Sequence, residues 1–464
     1  MTTASHATPA DLDLAGLRRL VRGDVLGPAD PGWDAARMPW NVAVDQRPAA
    51  IVRPAGADDV AAAVRFARDA GLRVAVQNSG HGASHDMAGA LLVRADRMNA
   101  ASVDAAAATA RAEPAARWRQ VHELSAPHGL AGLSGYAVTP AIGGFATGGG
   151  FGWLGRRHGF AANSIRALEV VTADGAQRRV DAQSDPDLFW ALRGGGGSFA
   201  AVTALELDLF PAPALYAGRR AWPIEHAPEV VRAFRDWAGD LPEAVGAALA
   251  IWRFPPIDLV PEIVRGRQLV TITACVMGSP AEAAEVLGPL AALPEPYFDT
   301  TGSIRPTDLG HVNQDPEDPI PATGRSATLT DLSDGTVGVL LEHLGPGVES
   351  PIVMAEIRRL GGAVGRPHPG GGCVGHVEEP YMIYALGVIP FPEALAPLEA
   401  SLRGLMDALG PHSGPRTLLN FLAERDGEAR EAFPEETFRR LVEIRRRVDP
   451  EDRFLANFPI PLTA

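Results

Sequence analysis

Three stretches far apart in the chain are dense in glycine and poor in charge: QNSGHGASHD at 77–86, AIGGFATGGGFG at 141–152 and RGGGGS at 193–198. Glycine loses more backbone freedom on folding than any other residue, so clusters of it mark places where backbone must lie closer to something than a side chain allows. Three such segments call for a fold that gathers separate loops around one large, phosphate-bearing ligand. Successive backbone N–H groups can hold phosphate without Lys or Arg.

The sequence before the first loop explains how it is presented. AIVRP at 50–54 reads as a strand closed by proline, and GADDVAAAVRFARDAG as a helix. Val60, Ala63, Val64, Ala67 and Ala70 share one face of it, Asp58 and Asp59 lie in its first turn, and Gly71 follows its end. LRVAV is the next strand, so Gln77 opens a loop at a strand end, where α/β units bind ligands. LLVRADRM and SVDAAAATARAEP read as further strands, WRQVHELSAPHG as a helix ending at Gly129, and Asp174-Gly175 as a hairpin turn. DPDLFWALRGGGG is a helix stopped by glycine, and a proline-marked boundary falls at 211–213. Beyond it AALAIWRF, QLVTITACVMG, TVGVLLEHL and YMIYALGVI read as strands, while Ser279 and Glu282 form the capping box of a helix. PEETFRRLVEIRRRVDP is a last helix before an apolar tail. Alternation without a strict repeat predicts an α+β second unit on one sheet.

At 464 residues, about two to three domains are expected. A net charge of -14 lacks the basic face that nucleic acid requires, which leaves a small molecule as the partner. Cys275 and Cys373 are too few for a disulfide framework and have no zinc spacing, so both read as buried thiols, and no metal is expected. The first residues have no apolar signal core and no later run is long enough to span a membrane, so the expected location is the cytoplasm. Oligomeric state is not legible.

Three motifs invite other readings. Gly150 to Gly155 is a literal GxGxxG with Glu169 about 20 residues on, but no hydrophobic strand precedes it, as a dinucleotide fold requires. His81 and His85 have the i,i+4 spacing of helical zinc sites, yet the glycines around His81 break any helix there. Gly196-Gly197-Ser198-Phe199-Ala200 lacks the final glycine of a nucleophile elbow and follows a helix, not a strand.

The ordered series VRPAGADDVAAAVRFARDAGLRVAVQNSGHG, GGGFGWLGRRHGFAANSI, EVVTADG, DLFWALRGGGGSF and RRRVDPEDRFLANFPI resembles the FAD-linked oxidases similar to berberine bridge enzyme. These belong to the p-cresol methylhydroxylase and vanillyl-alcohol oxidase superfamily. The resemblance runs from about residue 45 to 212 and over the last 50 residues. It implies an α+β fold: a two-part FAD-binding domain, 1–212 with 415–464, holding an inserted α+β substrate domain, 213–414, on one antiparallel sheet.

Residue by residue, the resemblance implies FAD joined covalently to His81, with Gln77, Asn78, Ser79 and Gly80 offering backbone N–H groups to the pyrophosphate and Gly80 and Gly82 leaving room for the imidazole to approach the flavin. Ala137 stands where many members carry a second, cysteine link, so attachment to His81 only is expected. Gly144, Thr147, Gly148, Gly149 and Gly152 are assigned to the phosphate and ribityl side, Val171 to adenine through its backbone, and Asn457 to the isoalloxazine. Pro140 occupies the position whose side chain affects dioxygen access, and Leu418 replaces the tyrosine that often serves as base. The base is therefore sought in Tyr384 first, then Tyr381, His376, Glu342 and Tyr136. The implied activity is oxidation of a small organic substrate by hydride transfer to flavin N5, with dioxygen as acceptor. A dehydrogenase using another acceptor, and a structural or non-redox use of FAD, stay open. An Ala- and Arg-rich composition fits a GC-rich bacterial source and natural-product tailoring.

Overall fold

The computed structural model describes residues 12–83, 87–212, 214–423 and 425–463. The helix Ala57–Asp69 buries Val60, Ala63, Val64 and Ala67 on one face, as its spacing requires, and Gly71 leaves it with φ +69°. Buried Asp59 accepts from the backbone N–H groups of Arg22, Gly23 and Ala55, which ties the helix start to the preceding loop. Around this helix Ala50–Arg53, Leu91–Arg94 and Val74–Gln77 pair in parallel, with Asp24–Leu26 antiparallel on one edge. Phe454–Leu455, within the tail read only as apolar, adds a parallel strand on Val74–Gln77.

A second sheet is antiparallel, in the order Ala101–Asp104, Thr109–Ala112, Ala201–Asp208, Ile165–Val171 and Gln177–Asp181. Its last hairpin turns at Gly175, with φ +79°, where the sequence reading placed it. The helix Glu435–Val448 returns to this part of the chain and docks on Pro186–Leu192, with Arg440 and Arg447 both pairing with Asp187.

Arg445 on that helix is fully buried. It donates to the carbonyls of Ser198 (2.7 Å) and Phe454 (2.8 Å) and lies 3.5 Å from Asp449. One guanidinium thus fastens the third glycine segment to the C-terminal strand. Arg445→Met is expected to lose about 3–5 kcal/mol by stranding Asp449 and both carbonyls. Thermal unfolding should show a clear fall in midpoint, and an unchanged midpoint would contradict this role.

The third sheet has eight strands, all antiparallel, drawn from residues 215–388. Its centre is Leu215–Pro223, Gln268–Val276, Val245–Arg253, Met354–Arg359, Tyr381–Val388 and Ala322–Leu329. Alternation gives it two unlike faces. Leu249, Ile251, Val270, Ile272, Ile357 and Ile383 form one apolar core with the helices Ala227–Ala238, Pro280–Leu287, Asp334–Leu344 and Leu395–Leu409. The opposite face carries Arg219, Thr271, Thr273, Glu356, Arg358 and Tyr384.

One segment departs from expectation. TVGVLLEHL, read as a strand, lies within the helix Asp334–Leu344. Ser333 caps its N-terminus and Val337, Leu340 and Leu344 are buried, a helical spacing that a short apolar run hides.

Candidate functional site

The first two glycine segments meet through Asn78, whose amide packs on Gly143, and through Ser79, whose hydroxyl accepts from Ala141 N–H. The second and third meet where Gly194 N–H donates to the Thr147 carbonyl (2.9 Å) and where Gly149 and Gly194 both press on Val374. The three segments therefore form one continuous surface. The reasons for individual glycines are more varied than ligand contact. Gly80, with φ +82°, admits Pro39 and Trp40, and a Cβ on Gly82 would meet Asn457 Nδ2 at 2.9 Å. Gly148 and Gly149 make room for Asn420 and Val374, and Gly152 for the Ser134 carbonyl, whereas Gly144 borders open space apart from Asn78.

His81 is held from three sides. Trp40 stacks on it, with centroids 4.1 Å apart and planes within 11°. Its Nδ1 lies 2.9 Å from Ser79 Oγ and its Nε2 2.9 Å from Thr139 Oγ1. Burial, helped by the positive charge of Arg117, pushes its pKa down to about 3, so the ring is neutral with one lone pair at physiological pH. His85 lies outside the described residues.

Around this loop several buried polar atoms lack a hydrogen-bond partner among the described residues: both amide atoms of Gln77, the amide oxygen of Asn78, one terminal nitrogen of Arg117 and the Ser134 hydroxyl. Such atoms cost about 1–3 kcal/mol each when left unmatched, and their density beside a glycine-lined surface fits the pyrophosphate and ribityl groups of FAD. Arg117 adds a cation that the sequence reading missed, because nothing in EPAARW marks the arginine as facing inward.

Val171 ends the interior strand Ile165–Val171, paired with Ala201 on one side and Gln177 on the other, and its side chain is buried in the layer between sheets. Thr147 is buried and bonded to the Gly143 carbonyl (2.7 Å), while Asn457 is exposed beside Gly82. Ala137 and Pro140 are partly buried in the segment that carries Thr139. Neither thiol is near it in sequence: Cys373 donates to the Ala191 carbonyl, and Cys275 sits in a sheet strand.

Three residues before Thr139, Tyr136 joins the loops to the large sheet. Arg358 lies 4.0 Å above its ring. On that sheet Arg358, Met382 and Thr328 stand side by side in one rung, and Glu356, Tyr384 and Ser326 in the next. Glu356, 1% exposed, pairs with Arg358 at 2.5 Å and accepts from Asn313 Nδ2 at 3.1 Å. Arg219 reaches the Asn313 carbonyl at 2.7 Å. Burial opposes the charge on Arg358, but Glu356, Tyr136 and Asp315 together hold its pKa above the ordinary value.

Burial and the Glu356 charge push Asp315 up to about 6, against Arg219 and Arg358. The native state thus keeps this proton between about pH 4 and 6, where the unfolded chain has released it, so the contribution of Asp315 to stability falls as pH rises through that window. Asp315→Asn is expected to flatten the pH dependence of the unfolding midpoint there, and an unaltered slope would refute the assignment.

The five candidate bases separate sharply. Tyr384 is on the polar face, edge-on to Phe421 at 5.5 Å. Tyr381, an odd number of residues away, is on the helix side with its ring in the apolar core. Glu342 is exposed on the helix Asp334–Leu344, and His376 sits in a loop 3.6 Å from Glu378. Tyr136 reaches the cluster, but burial raises its pKa well above the ordinary phenol value, so it stays protonated. Leu418 and Asn420 lie beside Gly148–Gly150, and Asn420 Oδ1 accepts from Gly150 N–H at 2.8 Å. The network of Glu356, Arg358, Asn313, Asp315 and Arg219 was not foreseen; polar residues alternating in MAEIRR were its one visible signal.

Residues 48–181 match the model of the FAD binding domain family. The chain is 34% identical over 207 residues to (R)-6-hydroxynicotine oxidase of Paenarthrobacter nicotinovorans, covering 44% of this chain and 45% of that one. It is 34% identical over 214 residues to glucooligosaccharide oxidase of Sarocladium strictum, covering 45% and 43%. These alignments span less than half the length of either relative. The solved structure of Physcomitrella patens BBE-like 1 superposes with a TM-score of 0.85 at 18% identity, over 97% of this chain and 99% of that one.

Proposed function

Because residues 48–181 belong to the FAD-binding domain family and the chain as a whole carries the berberine-bridge-enzyme-like fold, we propose that this protein is an FAD-dependent oxidoreductase that oxidises a small organic molecule and passes the electrons to dioxygen. In this reading 1–212 with 415–464 binds FAD and 213–414 binds substrate. The observation that carries it is one run of contacts: His81 to Thr139, Tyr136 to Arg358, and Arg358 to Glu356 in the rung that holds Tyr384. It joins a loop suited to FAD to a sheet face suited to acid–base chemistry.

FAD, when bound, supplies the acceptor for a hydride from the substrate carbon. The residues of the chain do the rest. Tyr384, in its phenolate form, takes the proton from the substrate O–H or N–H and becomes the neutral phenol. Glu356 and Arg358 neutralise one another, so the face presents little net charge to an uncharged substrate. His81, neutral and fixed by Ser79, Thr139 and Trp40, is the attachment point.

Flavin is expected to stay with the polypeptide after acid denaturation of the wild type and to be released from His81→Ala. Release from the wild type would overturn the attachment. Pro140 favours a second reading, a dehydrogenase, because its ring replaces the aliphatic side chain expected there. Stopped-flow reoxidation in air decides between them: a rate no faster than free reduced flavin would make the protein a dehydrogenase.

A further inference from the structure

The segment 312–322 crosses from the large sheet to the His81 loop and is fastened at both ends. At the sheet, Asn313 donates to Glu356 (3.1 Å) and its carbonyl accepts from Arg219 (2.7 Å). At the loop, the Glu317 carbonyl accepts from the indole N–H of Trp40, the ring stacked on His81, and Asn41 donates to the Ala322 carbonyl (3.0 Å). Asp315 stands midway between Asn313 and Glu317. Gln314 just before it has φ +53°, a left-handed conformation that residues other than glycine rarely adopt. Such strain persists where the surroundings fix the backbone, as these two anchors do, and it clusters at functional sites.

Among the described residues Asp315 makes no hydrogen bond and no ion pair; the groups that act on it do so through space. The charges facing it are Arg219, Arg358 and Glu356, all buried and all engaged elsewhere: Arg358 with Glu356, Arg219 with Asn313. Asp315 is nevertheless partly exposed. A carboxyl that burial pushes up to about 6 while solvent still reaches the residue faces an opening, not a sealed core. Its neighbour Glu356 stands opposite Tyr384, so the opening adjoins the rung of the proposed base.

An unmatched acceptor in such a place costs free energy that an incoming donor restores. The charge on that donor is decided by the cluster. With Asp315 ionised, two arginines stand against two carboxylates, so an ammonium would add a charge with no counterpart. A hydroxyl supplies the missing hydrogen bond and adds none.

We infer that Asp315 fixes the substrate by accepting a hydrogen bond from an uncharged hydroxyl, distinct from the O–H or N–H that Tyr384 deprotonates. The substrate is then a neutral molecule with a hydroxyl close to the group that is oxidised. This inference rests on the oxidoreductase reading and names what its substrate must carry.

Ligand-observed NMR titration of the flavin-loaded full chain at about pH 7.5, where Asp315 is ionised, tests it with three small probes. Cyclopentanol should bind at least about tenfold more tightly than methoxycyclopentane, which keeps the ring and the oxygen but has no donor. It should also bind more tightly than cyclopentylamine, which is protonated at that pH. Asp315→Asn, which keeps the shape and removes the charge, should weaken cyclopentanol about tenfold and methoxycyclopentane less than about twofold. Equal affinity for the alcohol and the ether overturns the inference, as does cyclopentanol binding that is undetectable or unchanged in Asp315→Asn. Tighter binding of the amine overturns the uncharged class. The titration reads binding without turnover, so failure of the oxidoreductase reading, seen as flavin that no substrate bleaches, is distinguishable from failure here.

Discussion

Tyr384→Phe is expected to slow anaerobic reduction of the bound flavin by about 10²-fold or more, the scale on which a positioned general base contributes, with flavin content unchanged. Tyr384 stands directly opposite Glu356 on one neighbouring strand and Ser326 on the other, in the middle of the polar face. His376, another candidate, sits in a loop 3.6 Å from Glu378. Tyr381 belongs to the helix-side core, Glu342 is exposed on a helix, and Tyr136 is held protonated by burial. Glu356 is occupied on both carboxylate oxygens, by Arg358 and by Asn313. Single-turnover kinetics at saturating substrate is the decisive measurement, because it separates the chemical step from binding. A wild-type reduction rate in the variant would remove Tyr384 from the mechanism.

Glu356→Leu is expected to destabilise the protein by about 3–5 kcal/mol, because it leaves the Arg358 charge buried without its partner. Arg358 is only 5% exposed. A second substitution should reverse most of the loss: in Glu356→Leu with Arg358→Met, both charges are gone and apolar groups of similar length fill the space. The coupling is read from the four unfolding midpoints of a double-mutant cycle. Additive effects would mean that the two residues contribute independently and that the pair is not a unit. Because Arg358 also lies against Tyr136, the single variant should disturb the flavin absorbance spectrum as well.

The glycine-rich side of the site was legible in the sequence and the large-sheet side was largely hidden, for different physical reasons. The loop at 77–82 announces itself by composition, since glycine and small polar residues at a strand end have few other uses. The helix Ala57–Asp69 and the hairpin at Gly175 were legible from periodicity and turn chemistry alone. On the large sheet, Tyr381 and Tyr384 could not be told apart, because the phase of an alternating strand is fixed only when its neighbours show which face is covered by helices. Glu356 and Arg358, inside MAEIRR, look in sequence like the solvent side of a strand and are instead buried against one another. TVGVLLEHL failed differently: an apolar run shorter than about a dozen residues carries too few repeats to separate a period of 2 from one of 3.6.

The strand Phe454–Leu455 pairs with Val74–Gln77, the strand that delivers the His81 loop, and Asn457 lies against Gly82. These contacts set an order of events during synthesis. Residues 215–388 form their sheet from segments contiguous in the chain, so that sheet can close while translation is still under way. The surface that presents His81 gains its last strand only after residue 455 has left the ribosome. If FAD sits at that surface, its binding waits for this strand, and a nascent polypeptide arrested before residue 450 should carry the large sheet folded with no flavin bound.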